Sequence, residues 1–388
     1  MKKIIIILIS ILFCVTSLSY AQNINWNLTG AGARAAGFGG AFIGVADDAT
    51  AISWNPAGLT QLIDPEASAV MRYISDTYTS DYSGRSESES LGHFVPNFAS
   101  GVYPFNFPGL KVVAAVAYQQ QLDLYAKWDY DEYSRGEVTG GASNMSLGLA
   151  AEILPVFSVG FASNVWTGSR SVDADYWDGY DWIPFDYSED FSGFNFNAGA
   201  MINLSNLSNP IPLKIGVDFK SPFDLEGDFG EVTETIQMPA MIGVGASFQL
   251  GDNLTLSADY ETRSYKDKTI TYDDGSEPDI ISDYNLDQIR AGFEYLFVTD
   301  FAVIPIRAGF HTMPTIFSNY DNFWVDNPIP RDQVVGSGFA VGSGLIFEKF
   351  ALDATVTFDS YKQELTSGGD YSQISSTIFT LSGIFYFN

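Results

Sequence analysis

The sequence predicts an all-β fold, a transmembrane antiparallel β-barrel of about 14 strands whose lumen is plugged by an N-terminal hatch. Three observations lead to this prediction. Apolar and polar residues alternate with period two from residue 66 to the end of the chain. Tight turns alternate with long, acidic and aromatic loops. Aromatic residues make up 15% of the chain and charged residues only 17%, a balance typical of strands that face lipid on one side.

The chain begins with a predicted signal peptide. Lys2 and Lys3 supply its positive end, residues 4–13 are an apolar core too short to span a bilayer, and residues 19–21 provide the small residues of a cleavage site. The single cysteine, Cys14, lies in this segment, so we expect no thiol or disulfide chemistry in the mature chain. The sequence therefore divides into a signal peptide (1–21), an N-terminal hatch (22–62) and a transmembrane β-barrel (63–388).

The segment that follows the signal peptide is unusually poor in large side chains. Residues 30–42 are mostly Gly and Ala, which suits a backbone that must approach other backbones closely inside a tube. A phosphate-binding loop is not indicated, because the spacing of Gly and Lys that it needs is absent. Asp47 or Asp48 is expected to cap a short helix over residues 49–53, which Pro56 would then end.

The remaining chain reads as strands joined by two kinds of connection. The predicted strands span 66–80, 90–105, 110–128, 136–153, 156–170, 190–204, 211–228, 232–250, 253–268, 282–298, 301–315, 334–348, 350–364 and 372–387. The strands of a soluble β-sandwich also alternate apolar and polar residues. A sandwich does not require every second connection to be long and acidic, however. Outer-membrane barrels do, with short periplasmic turns and long extracellular loops, so the barrel is the favoured interpretation.

Composition and motifs exclude several classes of function. The net charge of −28, which becomes −30 without Lys2 and Lys3, excludes a nucleic-acid-binding protein. After the signal peptide no apolar run of 18 residues exists, so no transmembrane helix is expected. The two histidines, His93 and His311, lack the spacing of a catalytic triad or a metal site. We therefore expect neither an enzyme nor a cofactor.

Residues 32–59, GARAAGFGGAFIGVADDATAISWNPAGL, resemble the N-terminal signature of the FadL-type outer-membrane transporters of long-chain fatty acids and other hydrophobic compounds. The resemblance implies a barrel closed by a hatch, with a hatch motif formed by Asn55, Pro56, Ala57 and Gly58. It further implies that hydrophobic ligand enters from outside, binds in an apolar lumen pocket and leaves sideways through a kinked third strand.

The third predicted strand departs from that pattern. It contains no internal Gly or Pro, and its alternation breaks only at Gln119 to Gln121. Since Gly and Pro are the residues that most readily bend or interrupt a strand, the sequence does not indicate the kink that a sideways exit requires.

Inward-facing charges late in the chain leave two interpretations open. Either they form a salt-bridged network that fixes the barrel interior, or Arg290 or Arg307 binds the carboxylate of a fatty acid through its planar guanidinium. Three interpretations of the loop 171–190 also remain open. It is either a solvated loop that packs on itself, or an aromatic surface on which hydrophobic ligand first binds, or a calcium site. The candidate calcium ligands are Asp173, Asp175, Asp178 and Asp181.

The sequence thus predicts passive uptake of hydrophobic small molecules, such as long-chain fatty acids, across the outer membrane of a Gram-negative-type bacterium. Its partners would be those molecules and outer-membrane lipid, and both termini would lie on the periplasmic side. An alternative is a PorV-like barrel that serves as a secretion accessory or surface-protein partner, although Gly58 fits that pattern less well. An apolar lumen pocket would favour transport; a filled lumen with protruding apolar loops would favour a protein partner.

Overall fold

The computed structural model describes residues 26–130, 134–230, 232–325 and 328–387. Within these ranges the chain forms a closed antiparallel barrel of 14 strands, as the sequence predicts. Several strands consist of two ranges separated by a short break. They are β1 (Glu66–Tyr82), β2 (Arg85–Phe107), β3 (Leu110–Asp123 and Ala126–Tyr130), β4 (Ser134–Leu154), β5 (Phe157–Trp177), β6 (Trp182–Asn203), β7 (Leu213–Lys220 and Phe223–Asp228), β8 (Thr233–Met238 and Met241–Leu250), β9 (Leu254–Arg263 and Thr269–Tyr272), β10 (Asp279–Ile280 and Leu286–Val298), β11 (Val303–Tyr320), β12 (Pro330–Ile346), β13 (Phe350–Glu364) and β14 (Tyr371–Tyr386).

The barrel closes where the first strand meets the last. β1 pairs with β14 from Glu66 opposite Tyr386 to Asp81 opposite Tyr371, and it pairs with β2 along its other edge. No free sheet edge remains along β1 as a result, which is how a closed barrel satisfies its backbone hydrogen bonds without water. The predicted signal peptide lies outside the described residues, so the division at residues 21 and 62 stays a prediction.

The period-two pattern sorts side chains between the two faces of the wall. On β13, Leu352 and Phe358 are each 52% exposed on the outside, whereas Asp353 and Thr355 are buried on the inside. An apolar outer face with a polar inner face is the arrangement of a barrel surrounded by lipid. None of the helices in the described ranges is long and apolar enough to cross a membrane.

The N-terminal segment, residues 26–62, contains the only α-helices of the described chain. They are α1 (Ala33–Gly37) and α2 (Ala51–Trp54), and a 3₁₀-helix (Pro56–Gln61) follows. Asp48 Oδ1 accepts a hydrogen bond from the backbone N–H of Thr50 at 2.8 Å, just before α2. α2 ends because Asn55, which precedes Pro56, is extended at φ −154°. The helix thus begins two residues later than predicted and ends just before Pro56, as predicted. The expected cap by Asp47 or Asp48 is wrong, because the N-cap residue is Thr50 and no side chain caps the helix.

The third strand is interrupted, contrary to the expectation drawn from its lack of Gly and Pro. Its pairing with β4 shifts register between Gln120 and Leu122, and residues 124–125 leave the ladder. The glycines that permit this are on β4. Gly141 has a φ of 151°, and a Cβ on it would meet the Leu122 carbonyl oxygen at 2.0 Å. The interruption therefore depends on the neighbouring strand, which is why the sequence of β3 alone did not indicate it.

Candidate functional site in the barrel lumen and wall

The N-terminal segment lies inside the barrel and is hydrogen-bonded to strands on all sides. Side chains and backbone groups of the wall hold it at seven places at least. These contacts are Gln119 Nε2 to the Thr29 carbonyl (2.9 Å), Thr60 Oγ1 to Ser158 Oγ (2.9 Å), Lys220 Nζ to the Ser53 carbonyl (3.1 Å), Ser247 Oγ to the Gly44 carbonyl (2.8 Å), the Ile43 N–H to Asp259 Oδ2 (2.8 Å), Thr355 Oγ1 to the Ala33 carbonyl (2.7 Å) and the Ala33 N–H to Ser382 Oγ (2.6 Å). The segment thus fills the cross-section that the strands enclose.

The sequence-predicted hatch motif lies against β5, β6 and β7. Asn55 is fully buried and donates from Nδ2 to the Ile43 carbonyl at 3.1 Å and to the Ala200 carbonyl of β6 at 3.2 Å. Its Oδ1 accepts from the Ala57 N–H at 3.1 Å, which fixes the turn that Pro56 begins. A Cβ on Gly58 would come within 2.1 Å of the Ala46 carbonyl oxygen, so only Gly fits there. The motif therefore joins the segment to the wall through one buried amide.

Inward-facing wall glycines receive the segment. At Gly160 of β5 an added Cβ would lie 2.3 Å from the Ala57 nitrogen, and at Gly309 of β11 it would lie 2.1 Å from the Gly39 nitrogen. At six other wall glycines an added Cβ would lie between 2.1 and 2.9 Å from an atom of the segment. These glycines are Gly148, Gly199, Gly216, Gly243, Gly245 and Gly292. Because glycine has no side chain, the backbone of the segment can contact the backbone of the wall at these positions. The sequence alone did not reveal this set of glycines, because their contacts exist only in the closed barrel.

A network of ion pairs links the segment to the wall. Arg34 of α1 binds Glu294 with Nε and Nη2, both at 3.0 Å, and also contacts Asp47. Burial by itself would lower the pKa of Arg34, but Asp47 and Glu294 outweigh it and hold that pKa well above its ordinary value. Glu294 in turn accepts from Arg307 Nε at 2.6 Å, and Arg307 also pairs with Asp353. Arg34 is thus held in its charged form against the wall.

Both arginines proposed as contacts for a ligand carboxylate already have carboxylate partners. Arg290 Nη1 binds Glu261 Oε2 at 3.0 Å, and its guanidinium lies 5.6 Å from the centre of the Trp54 ring. Arg307 is buried between Glu294 and Asp353, as described above. A ligand carboxylate would have to displace these acids, so the salt-bridged interpretation accounts for the geometry, and ligand binding by Arg290 or Arg307 stays a prediction.

An apolar cluster lies in the lumen on the long-loop side of the segment. It joins Leu28 of the segment to wall residues that include Leu122 and Leu124 of β3, Trp166 of β5 and Leu225 of β7. Between this cluster and a row of asparagines on β4, β5 and β6 there is a cavity of about 30 Å³. A polar cavity needs only about 10–15 Å³ to hold one water molecule, whereas small-molecule sites span hundreds of cubic ångströms. A hydrophobic ligand can therefore bind here only if side chains or the segment move.

The wall itself is split between β2 and β3. Their ladder ends at Phe98 opposite Gln119, although β2 continues along β1 as far as Arg85. Three side-chain contacts bridge the split. His93 Nε2 lies 2.6 Å from Asp123 Oδ2, the His93 ring stacks on Tyr125 at 4.3 Å, and Asn97 Nδ2 donates to the Gln120 carbonyl at 3.2 Å. Leu122 and Leu124 of the apolar cluster flank Asp123 in the chain, so the cluster reaches this split.

The prediction of a loop at residues 171–190 is wrong, because β5 and β6 continue into it and leave only residues 178–181 as a turn. The candidate calcium ligands are not brought together. Asp173 and Asp175 lie in β5, where Asp175 Oδ2 pairs with Arg135 at 3.0 Å, and Asp178 lies in the turn that follows. The backbone N–H groups of Asp181 and Tyr180 lower the pKa of the Asp178 carboxyl. In the part of the chain that the structure describes, no three His, Cys, Asp or Glu side chains converge as a metal site requires. The calcium hypothesis gains no support from this geometry.

Comparison with known proteins identifies relatives of the fold. No protein-family model and no curated protein matches the sequence. The crystal structure of a Pseudomonas aeruginosa FadL homologue is similar at 15% identity and a TM-score of 0.63, over 95% of this chain and 100% of that one. The P. putida toluene transporter TodX is similar at 12% identity and a TM-score of 0.66, over 93% and 99%. The CymD monoaromatic hydrocarbon channel is similar at 13% identity and a TM-score of 0.60, over 93% and 99%.

These likenesses establish the class of the fold. The chain has the fold of these structures, a closed barrel of 14 strands, and the resemblance predicted from residues 32–59 is confirmed at the level of the fold. Two of the structures named above are described as those of a toluene transporter and of a monoaromatic hydrocarbon channel.

Proposed function

We propose that the chain is an outer-membrane transporter for the passive uptake of hydrophobic small molecules, gated by the N-terminal segment as a hatch. The observation that carries the proposal is the apolar cluster that begins at Leu28 on the segment and ends at Leu122 and Leu124 beside the wall split. An apolar solute can follow such a surface without entering water. The toluene and monoaromatic specificity of the similar proteins supports hydrophobic ligands as the class.

Long-chain fatty acids are one candidate within this class. The sugar-coated outer leaflet blocks apolar solutes, and a water-filled pore offers them no apolar surface to bind. A plugged barrel with an apolar interior would provide such a surface. Because the resting cavity of about 30 Å³ holds no such ligand, uptake requires movement of side chains or of the segment, and the proposed movement is that of the segment. Exit would follow the split between β2 and β3 into the bilayer.

Uptake by cells tests the proposal directly. A transporter-null strain that expresses this chain should take up labelled toluene and labelled oleate faster than the same strain with an empty vector. Restoration of toluene alone would keep the transport function and reject fatty acids as ligands. Restoration of neither, with the barrel present in the outer membrane, would contradict the proposal.

The gating role is tested by tethering the segment to the wall. Thr60 Oγ1 and Ser158 Oγ of β5 are 2.9 Å apart, so a Thr60→Cys/Ser158→Cys pair is close to disulfide geometry. Oxidation should stop uptake and reduction should restore it, because the predicted mature chain has no other cysteine. Thr77→Cys/Ser90→Cys is the matched control, since these hydroxyls are also 2.9 Å apart but join β1 to β2 within the wall. If oxidation leaves uptake unchanged in the first pair, the segment does not need to move.

The PorV-like alternative is favoured by one observation. Tyr180 and Ile329, beside long connections, are 86% and 83% exposed, and the lumen cavity beside Leu28 measures only about 30 Å³. Exposed apolar residues at loop ends suit a protein partner. A deletion strain that keeps normal uptake of hydrophobic compounds but loses a surface protein from its outer membrane would favour this second function.

A further inference from the structure

The split between β2 and β3 is closed by side chains instead of backbone hydrogen bonds. Along β2, residues 85–97 pair with β1 only, and within the described residues of β3 no backbone partner faces them. A bulge at Asn97 begins this stretch, since Val70 and Met71 of β1 pair with Phe98 and Pro96 and skip it. An unpaired stretch of wall is mechanically weaker than a ladder, because each ladder position contributes backbone hydrogen bonds.

The bridging contacts are arranged so that they depend on one another. Asp123 uses both carboxylate oxygens: Oδ2 contacts His93 Nε2 at 2.6 Å, and Oδ1 accepts from the Tyr125 N–H at 3.3 Å. The Tyr125 ring then stacks against His93 at 4.3 Å. The His93 and Asp123 side chains are only 16% and 24% exposed, which limits screening by water. We call His93, Asn97, Asp123 and Tyr125 the wall latch.

The latch lies at the outer end of the band of outward apolar residues. On β2 that band runs from Phe107 and Phe105 to Phe94, which is 73% exposed. On its lumen side the latch adjoins Leu122 and Leu124 of the apolar cluster. It therefore separates the apolar lumen surface from the outside of the wall where lipid would begin.

We propose that His93 and Asp123 are specificity-determining residues that set the size of the hydrophobic molecule able to leave through the wall. This inference rests on the proposed transport function and adds to it a residue pair that discriminates by width. The pair closes the split at rest, and narrow molecules need a smaller separation of the two strand edges than bulky ones. Bulky molecules pass only when the His93–Asp123 contact breaks and the two strand edges separate.

The test compares a narrow and a bulky probe in the transporter-null strain. His93→Ala should raise the ratio of pyrene to toluene uptake by about threefold to tenfold, the factor that loss of one partly exposed charge-assisted hydrogen bond gives in an opening equilibrium. Asp123→Ala should do the same. The double variant should match either single variant, because the two side chains act through one contact. Thr77→Ala/Ser90→Ala, which removes an exposed hydroxyl contact of 2.9 Å between two positions that the β1–β2 ladder already pairs, should leave the ratio unchanged.

A second measurement reports the opening without transport. In a Leu122→Cys background, where the side chain at 122 is 4% exposed, His93→Ala should speed labelling by an externally added maleimide, and the control pair should not. An unchanged uptake ratio together with unchanged labelling would overturn the inference. An equal rise for both probes with loss of heat resistance would also overturn it, since that indicates a loosened barrel. If the wild type takes up neither probe, the proposed transport function is rejected instead. The labelling rates alone would then show whether the His93–Asp123 contact keeps the wall closed.

Discussion

At the scale of single residues, Asp48 makes stability depend on pH. Burial raises the pKa of its carboxyl above the ordinary value of about 3.9, against the opposing effects of Arg34 and of hydrogen bonds from Thr50. A raised folded-state pKa means that the contribution of Asp48 to stability is complete below the ordinary pKa and is lost as the pH rises through the folded-state pKa. Asp48→Asn keeps an acceptor for Thr50 but carries no charge.

We therefore expect the Asp48→Asn barrel to have a higher melting temperature than the wild type at pH 8 and the same one at pH 3. Thermal unfolding in detergent across this range measures the difference. Asp252→Asn, in an exposed turn, removes the same charge and serves as the control. A constant difference at all pH values would show that the burial of the Asp48 charge is not the cause.

Gly160 tests the close fit of segment and wall at one position. An added Cβ would lie 2.3 Å from the Ala57 nitrogen, so Gly160→Ala must shift two backbones apart. Overpacking of this kind costs about 1–3 kcal/mol, and the melting temperature should fall. Gly101→Ala is the matched control, because the atom nearest to its Cβ, on Val116, is 3.9 Å away. Equal melting temperatures for the two variants would contradict the close fit between Gly160 of the wall and Ala57 of the segment.

At the scale of elements, strands were predictable and their breaks were not. Alternation is a local property, so the predicted strand 350–364 coincides with β13 (Phe350–Glu364). The break in β3 depends on Gly141 of β4, and the His93–Asp123 contact depends on a ladder that stops early. Both are consequences of pairing between distant residues. Two features of the sequence do coincide with the break in β3. They are the loss of alternation at Gln119 to Gln121, where the register shifts, and the adjacent glycines Gly140 and Gly141 of β4.

The N-terminal segment is an element that the wall does not need for its closure. β1 pairs with β14 and β2 along its full length, and none of those pairs involves residues 26–62. Deleting residues 22–62 should therefore leave a heat-resistant barrel with a large single-channel conductance in planar bilayers, where the wild type conducts little. A deletion variant that fails to assemble would show instead that the segment is part of the folding core.

At the scale of the whole molecule, closure has two separate parts. The segment blocks the axis of the barrel, held by buried polar contacts such as that of Asn55 with Ala200. The wall latch closes the side, held mainly by His93 and Asp123. A ligand in the apolar cluster would lie next to both, because the cluster contains Leu28 of the segment and Leu122 of the wall. One bound molecule can therefore favour movement of both parts if it binds the displaced arrangement more tightly.

The net charge of the whole chain predicts what the opened barrel conducts. Asp and Glu number 47 against 19 Lys and Arg. Residues 171–190 and 273–287, which include the connections from β5 to β6 and from β9 to β10 at the same end of the barrel, carry 13 Asp and Glu and no Lys or Arg. A mouth lined by one sign of charge concentrates counter-ions. The barrel without residues 22–62 should therefore prefer K⁺ over Cl⁻ in reversal-potential measurements at about 0.1 M salt, and the preference should weaken towards 1 M, where the Debye length shrinks to about 3 Å. An opened barrel that prefers Cl⁻ would mean that the inward-facing Arg and Lys side chains, and not the acidic connections, control the conducting path.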